Sequence, residues 1–307
     1  MPPSGALLCL ASAAAFGAMG IFGKLAYDEG ATVGTLLAVR FLLAAALFWV
    51  LAATTGAAHH LRALAPRDLA LALALGGIGY SAQAGAYFAA LERLDASLLS
   101  LLLYTVPAMV TVAAIVLGRE RANRRTAAAL VLASAGLTLV LAGAGAGALD
   151  PLGTVLGISA AVIYSTYILT SASIAGRVGP IVLSALVCTG AATTLTLAGA
   201  VGGDVQLGEV SATGYGWLAG IAVVSTVAAV SLFFAGLKRV GPTAASILST
   251  AEPVTTVLLA FLVFGESLSP VQLAGGALVL AAVFVLSAAA SAGDPLAKQT
   301  AAASARA

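Results

Sequence analysis

Charged residues are scarce in this chain. Of its 307 residues only 8% are Asp, Glu, Lys or Arg, whereas about 25% is usual in a soluble domain. Hydrophobic residues make up 61% of the sequence. Because this number of charged residues cannot cover a surface that faces water, we predict an integral membrane protein in contact with the lipid bilayer. The net charge of +2 is too small to indicate nucleic acid as a partner.

Residues that commonly perform catalysis are few as well. The two histidines, His59 and His60, are adjacent, and the sequence contains no H-E-x-x-H motif. Cys9 and Cys188 lie in separate apolar runs and form no motif with each other. The absence of G-x-x-x-x-G-K-[ST] argues against a nucleotide-driven pump within this chain. We therefore expect no enzyme activity, no metal and no cofactor, with a membrane-embedded enzyme as the rival interpretation.

Long apolar runs are what the sequence has in abundance. A helix needs about 20 apolar residues to cross a bilayer, and Gly-Pro and Asp-Pro pairs mark several of the breaks between runs. The first run lacks the positively charged start of a signal peptide and is interpreted as a membrane helix. The runs predict ten transmembrane helices, at about residues 5–23, 32–52, 69–90, 95–117, 126–143, 152–172, 180–201, 214–236, 242–264 and 270–289.

Two stretches of the chain are versions of one another. Residues 87–120 align without a gap on residues 233–266, at an offset of 146 residues, and Pro107 falls on Pro253. A fixed internal period indicates a repeat architecture. Because the offset spans five predicted helices, an odd number, the second copy must enter the membrane upside down relative to the first.

The predicted fold class is therefore an all-α membrane protein of ten transmembrane helices built from two inverted five-helix repeats. We assign the first repeat to residues 1–147, the second to 148–290, and a disordered cytoplasmic tail to 291–307. Inverted repeats are typical of secondary transporters, whose substrate site lies near the midplane between the halves.

The basic residues are unevenly distributed among the predicted loops. With the N-terminus in the cytoplasm, 11 of the 14 Lys and Arg residues lie in cytoplasmic loops or the tail, 2 lie outside, and Arg40 lies within a helix. Basic loops stay in the cytoplasm. Both termini are therefore predicted to be cytoplasmic.

Each copy of the repeat carries a proline in the middle of an apolar run. Proline removes a backbone hydrogen bond and frees the carbonyl four residues earlier, here that of Leu103 or Ser249. In lipid a freed carbonyl must face protein or water. Pro107 and Pro253 therefore predict a solvated cavity, with simple kinks packed against neighbouring helices as the alternative.

Three ionisable residues lie in or near the apolar runs. Each would cost about 2.5 to 3.5 kcal/mol at the bilayer centre on insertion scales. Glu252 is the deepest and is a candidate contact for a proton or a substrate amine, or else a neutral, hydrogen-bonded acid that serves packing. Arg40 is expected to snorkel or pair near the outer end of its helix, and Lys24 to anchor its helix at the interface.

Polar and aromatic residues recur at helical spacing on several predicted helices. Taken singly, such stripes usually serve packing; together, around two prolines, they predict a cavity lined by hydroxyls and rings. This lining suits a neutral or zwitterionic solute with an apolar or aromatic body and lacks the basic cluster that sugar phosphates need. The predicted substrate-binding residues are Tyr80, Gln83, Tyr87, Ser100, Tyr104, Pro107, Tyr164, Tyr167, Ser231, Phe234, Ser246, Ser249, Thr250, Glu252 and Pro253.

The substrate's two polar ends need different partners. Glu252 and the carbonyls freed by the prolines could accept hydrogen bonds from a substrate ammonium. No cation is expected at midplane for the carboxylate, so Ser100, Thr250 and Gln83 are assigned to hold it. Weak binding of this kind predicts modest affinity and broad selectivity.

Several short motifs carry a family resemblance. They are Arg40-Phe41-Leu42-Leu43, the ends of the two proline helices at Gly118-Arg119-Glu120 and Phe264-Gly265-Glu266, and the segment from Gln272 to Leu278. On these the chain, over residues 5 to 289, resembles the EamA-type branch of the drug/metabolite transporter superfamily, and within it the YddG-type bacterial exporters of aromatic amino acids.

This resemblance implies a multi-pass protein of the bacterial cytoplasmic (inner) membrane that exports small molecules. It implies a central cavity formed mainly by helices 1, 3, 4, 6, 8 and 9, with helices 5 and 10 at the edge. We expect amino acids, aromatic and other neutral ones, as substrates, and a monomer or weak oligomer. Export of other metabolites or of drugs is the alternative.

Overall fold

The part of the chain that the structure describes is helical throughout. The structure, a computed structural model, describes residues 3–117, 124–143, 150–240, 245 and 248–293. Two short 3-10 helices and two π-helical turns connect or interrupt the longer helices. The α-helices are α1 (Pro3–Gly17), α2 (Met19–Asp28), α3 (Val33–Thr54), α4 (Pro66–Ala74), α5 (Ser81–Leu91), α6 (Ala96–Leu103), α7 (Val106–Val116), α8 (Arg124–Gly143), α9 (Pro151–Val178), α10 (Pro180–Gly202), α11 (Ala212–Ala222), α12 (Ala229–Val240), α13 (Ala251–Phe264) and α14 (Pro270–Gly293).

Seven helical stretches are long and apolar enough to cross a membrane: Ser4–Asp28, Val33–Thr54, Pro66–Leu91, Ala96–Ala113, Pro151–Ser171, Pro180–Gly202 and Ala212–Val240. Three further apolar helices, Ala127–Gly143, Ala251–Phe264 and Pro270–Val285, are shorter. The prediction of a multi-pass, all-helical membrane protein is therefore confirmed, while a crossing by each of the three shorter helices stays a prediction. α14 continues to Gly293, and the rest of the predicted tail lies outside the described residues.

Helix contacts recur when the two halves of the chain are exchanged. The most extensive contact joins α8 to α14, and α3 packs against α10; each pair consists of helices with equivalent places in the two halves. The α1 to α12 contact has its counterpart in the α5 to α9 contact. Such pairing is what two repeats related by a two-fold axis produce. The inverted orientation itself remains a prediction.

Glycines allow the closest of these contacts. At the α8 to α14 contact, a Cβ atom on Gly136 would lie 2.7 Å from the carbonyl oxygen of Gly275, and a Cβ atom on Gly275 would lie 2.6 Å from that of Gly136. Any side chain at either position would force the backbones apart. Small residues serve this purpose at helix contacts in lipid.

Among the described residues, three of the ten predicted membrane helices are interrupted near their centres. The first breaks between α1 and α2, at Ala18, and the fourth between α6 and α7, ahead of Pro107. The ninth turns at Thr250, ahead of Pro253. The 146-residue offset places Tyr104 on Thr250, so the last two breaks occur at equivalent points of the repeat. The matched prolines account for both because each removes a helical hydrogen bond.

Two further membrane helices contain π-helical turns. One spans Leu75–Tyr80 between α4 and α5, and the other spans Val223–Ala228 between α11 and α12. Turns of this kind often occur at functional sites. The first turn is pressed against α10, because a Cβ atom on Gly76 would lie 2.0 Å from the carbonyl oxygen of Val187. This contact positions the third membrane helix, and Tyr80 with it.

Candidate functional site

A cavity of about 270 Å³ lies between the two halves of the chain. Its volume is near the lower end of the range of about 300 to 1,000 Å³ found for small-molecule sites. One lining residue belongs to α14. The others lie on the interrupted helices and on the second, third and sixth helices, which pack beside them. The lining residues are Phe16, Met19, Arg40, Tyr80, Gln83, Ala84, Tyr87, Ser100, Leu103, Tyr104, Val106, Pro107, Tyr164, Ile168, Ser249, Glu252, Thr256 and Val283.

The structure brings nine of the predicted substrate-binding residues together on this wall: Tyr80, Gln83, Tyr87, Ser100, Tyr104, Pro107, Tyr164, Ser249 and Glu252. Tyr167 lies directly behind it, with its ring centre 5.4 Å from that of Tyr80. Thr250 and Pro253 are buried and are not among the lining residues. Ser246 lies outside the described residues.

Ser231 and Phe234 lie elsewhere. Both line a separate cavity of about 390 Å³, which also contacts Lys238 and Arg239. The eighth membrane helix, expected to line the central cavity, instead packs its α12 part against α1, where the Ser12 hydroxyl donates to the carbonyl oxygen of Ala229 over 2.7 Å. In its place the second and tenth helices contribute Arg40 and Val283 to the central cavity.

Tyrosine rings form one wall of the central cavity. Tyr164 stacks on Tyr167 with ring centres 6.1 Å apart, and Phe41 meets Tyr80 edge to face at 5.4 Å. Offset-stacked and edge-to-face pairs are the favoured arrangements of aromatic rings. The rings therefore support each other from behind and present a firm aromatic surface to the cavity.

Side chains satisfy the backbone where the helices break. The Tyr104 hydroxyl donates to the carbonyl oxygen of Ser249 over 2.6 Å, which is the carbonyl that Pro253 frees. This bond joins the two proline helices across the cavity. Similarly, the Thr256 hydroxyl donates to the carbonyl oxygen of Gly17 over 2.9 Å, at the break in the first helix. The broken helices are thus tied to each other rather than to lipid.

Glu252 presents its carboxylate to the cavity. No described residue forms a hydrogen bond or ion pair with that carboxylate. Its backbone is held close to the first helix, because a Cβ atom on Gly17 would lie 2.8 Å from the Glu252 carbonyl oxygen. The carboxylate is therefore positioned by tight backbone packing while its oxygens stay available to a ligand.

Arg40 corrects two expectations. It does not snorkel: only 2% of the residue is exposed, and its Nε donates to the Thr226 hydroxyl over 3.1 Å. The guanidinium carbon lies 4.8 Å from the ring centre of Phe41 and 5.4 Å from that of Phe88. These partners lie on the inner side of the second helix, so the charge turns inward and lines the cavity. A cation is therefore available for a carboxylate after all.

The sequence held one signal for this arginine. A charge well inside an apolar run is costly and rarely faces lipid, which argues for an inward-facing role. What the sequence could not supply was Thr226, a partner from the other half of the chain.

The first, fourth and ninth helices are joined at one end by an ion pair and its hydrogen bonds. Lys24 Nζ lies 2.9 Å from Glu266 Oε1 and 3.7 Å from the Asp95 carboxylate. Glu266 also accepts hydrogen bonds from the backbone N–H groups of Ala96 and Ser97, over 3.1 and 3.0 Å, at the start of α6. We call this group the Glu266 latch. Lys24 is thus an ion-pair partner as well as a helix-end residue.

Hydrogen bonding outweighs desolvation at Glu266. Burial by itself would raise the pKa of this carboxyl, but the N–H of Ser97 and the ammonium of Lys24 hold the pKa below its usual range. Glu266 is therefore ionised at neutral pH and holds its ion pair with Lys24.

The long apolar helices around a central cavity indicate a multi-pass membrane protein. The chain belongs to the EamA-like transporter family, whose sequence profile matches residues 3–142 and again residues 151–288. The two matches fall on the two halves of the chain.

Curated relatives carry the same general name. "Uncharacterized transporter YcbK" of Bacillus subtilis (strain 168) is 27% identical over 283 residues, which covers 89% of this chain and 89% of that protein. An "Uncharacterized transporter" of Archaeoglobus fulgidus is 30% identical over 200 residues, covering 65% of this chain and 70% of that protein. A solved structure titled "Crystal structure of protein" superposes with a TM-score of 0.63 at 22% identity, covering 93% of this chain and 96% of that one. This last likeness extends to the fold alone.

Proposed function

We propose that this transporter exports small metabolites from the cytoplasm by alternating access, and that aromatic and other neutral amino acids are its substrates. The observation that carries the proposal is the central cavity, in which tyrosine rings face the carboxylate of Glu252, a group with no hydrogen-bond or ion-pair partner among the described residues. Rings bind an aromatic side chain, with stacking worth about 0.5 to 1.5 kcal/mol per pair beyond area burial. A free carboxylate binds an ammonium group.

The composition of the lining supports this substrate class over phosphorylated sugars. Arg40 is the one basic residue among the residues that line the described cavity. Phosphate groups are usually held by several Lys or Arg side chains or by bidentate arginines in clusters. Export of drugs or of other metabolites is the competing function, and a hydrophobic cation without a carboxylate is its simplest representative.

Transport by purified protein in proteoliposomes tests the proposal. The panel should contain phenylalanine, tyrosine, tryptophan, leucine, a sugar phosphate and a hydrophobic monovalent cation, each with and without a pH gradient. We expect the aromatic amino acids to move fastest, leucine more slowly, and the sugar phosphate no faster than in empty liposomes. Movement of the sugar phosphate or the cation without amino acids would overturn the proposal. A rate that depends on the pH gradient in wild type, and not in Glu252→Gln, would assign proton coupling to Glu252.

A further inference from the structure

We infer that Arg40 and Glu252 recognise the two ends of one zwitterion, with Arg40 holding the carboxylate and Glu252 the ammonium group. The inference rests on the proposed function, since it names the groups that would select an amino acid over its singly charged analogues. It replaces the hydroxyls of Ser100 and Thr250 as the expected carboxylate partners.

The two charges share the cavity without pairing to each other. Both side chains line it, yet the ion pairs among the described residues lie elsewhere, at Lys24, Arg93 and Arg177. Charges withdrawn from water are costly unless they are paired. Opposite charges that face one cavity from separate helices therefore leave that pairing to a ligand that carries both complementary charges.

Arg40 has donors left for a carboxylate. A guanidinium group carries several N–H groups and keeps its charge at any physiological pH. Its Nε donates to Thr226, and the rings of Phe41 and Phe88 lie against the group. This arrangement fixes the plane of the guanidinium. The Tyr80 hydroxyl also interacts with the guanidinium, and the remaining N–H groups on Nη1 and Nη2 can donate to a carboxylate. Tyr80 lines the cavity beside it and adds a hydroxyl.

Neither charge has a counterpart in the other half of the chain. The aligned stretch places Glu252 on Val106, and α10, the counterpart of the helix that carries Arg40, contains no charged residue. Val106 lines the same cavity with an apolar side chain. A charge that the repeat fold itself required would be expected in both copies. The two charges therefore serve the site and not the repeat fold. Because each half supplies one charge-bearing helix, the cavity has a basic end and an acidic end.

Three ligands that share one ring test the inference on the wild-type protein. They are phenylalanine, phenethylamine, which lacks the carboxylate, and 3-phenylpropionate, which lacks the amine. Binding to purified protein should weaken by about tenfold to about a hundredfold for each analogue, the factor expected for loss of one charge-assisted hydrogen-bonded contact. Equal affinity for phenylalanine and phenethylamine would overturn the role of Arg40 without any variant.

Variants then assign each end of the ligand. Arg40→Met should weaken the binding of phenylalanine by a similar factor without weakening that of phenethylamine, whose ammonium group the arginine repels. Glu252→Gln should weaken the binding of phenylalanine without weakening that of 3-phenylpropionate, whose carboxylate the glutamate repels. Arg40→Lys keeps the charge and should recover part of the loss, which covers the case in which Arg40→Met does not fold. Arg67→Met removes an exposed arginine outside the cavity and serves as the matched control.

The outcomes separate this inference from the function on which it rests. If wild-type protein binds no amino acid, the proposed substrate class fails. If it binds phenylalanine and Arg40→Met weakens phenylalanine and phenethylamine equally, Arg40 acts on the fold and the zwitterion site fails while the amino acid substrate stands. If each variant loses only the contact with its own end of phenylalanine, the amino acid substrate class and the zwitterion site are both established.

Discussion

At the scale of single residues, glycine contacts decide how closely the helices around the site approach. Gly190 of α10 faces the π turn of the third helix, and a Cβ atom there would lie 2.3 Å from the carbonyl oxygen of Leu73 and 2.8 Å from the backbone nitrogen of Gly77. Both neighbours are backbone atoms, so no side chain can move aside. The glycine therefore fixes the distance between the second half of the chain and the helix that carries Tyr80.

We predict that Gly190→Ala destabilises the protein by about 1 to 3 kcal/mol, the usual cost of inserting a methyl group into a packed contact. The measurement is the thermal unfolding midpoint of the purified protein in detergent. Gly216→Ala is the matched control, because its Cβ atom would meet nothing within 4 Å. An unfolding midpoint of Gly190→Ala equal to that of wild type would contradict the prediction.

Single side chains also mark where sequence reasoning stopped. The spacing of Ser100, Tyr104, Pro107 and Thr111 predicts that they share one face of the fourth helix; the first three line the central cavity, and Thr111 is not among its lining residues. Spacing along a helix determines which residues share a face but not which neighbour that face meets. Arg40 needed Thr226 from the other half of the chain to turn inward, and no local pattern contains that information.

At the scale of elements, the prolines predicted the helix breaks and nothing predicted the π turns. Val223–Ala228 inserts extra backbone into one turn of the eighth helix. One added residue rotates everything after it by about 100°, since a helix has about 3.6 residues per turn. Ser231 and Phe234 follow this turn and line the second cavity.

The Glu266 latch ties the ninth helix to the first and the fourth at one end. We predict that Glu266→Gln lowers the unfolding free energy by about 1 to 3 kcal/mol, the value of hydrogen bonds to a charged group. It should also raise the rate at which a cysteine placed at Ser100 in the cavity reacts with a thiol reagent, because the helix ends separate. Glu209→Gln, which changes an exposed carboxylate, is the control. Unchanged reactivity in Glu266→Gln would argue against a latch.

The latch also carries a pH dependence with a defined sign. Because the pKa of Glu266 is held below its usual value, the charged latch stabilises the folded protein above the ordinary carboxyl pKa, and that stability is lost as the pH falls through the lower, folded pKa. The groups that face Glu266 are Lys24 and, beyond it, Asp95. Wild type should therefore lose its advantage over Glu266→Gln only in acid, below about pH 4.5.

At the scale of the whole molecule, the two halves supply a nearly symmetric frame with an asymmetric site. Equivalent helices pack against each other across the centre, and both proline breaks meet there. The charged residues at the centre occur once each, at Arg40 and Glu252. A frame of this kind can rock about its centre while the bound solute keeps the same partners, which is the arrangement that alternating access requires.

The proposed inversion of the two halves can be tested at equivalent loops. His59 follows the second helix and Gly208 follows the seventh, so the two have equivalent places in the repeats and both are exposed. In a background without Cys9 and Cys188, both of which are buried, a single cysteine is placed at either position and treated in intact cells with a membrane-impermeant maleimide. We predict labelling at Gly208→Cys and not at His59→Cys until the cells are opened. Ser267→Cys, also exposed, should label from outside, and Asn123→Cys, which lies in the equivalent loop of the first half and outside the described residues, should not. Parallel halves would put both members of each pair on the same side, and labelling of both in intact cells would rule out the inverted arrangement.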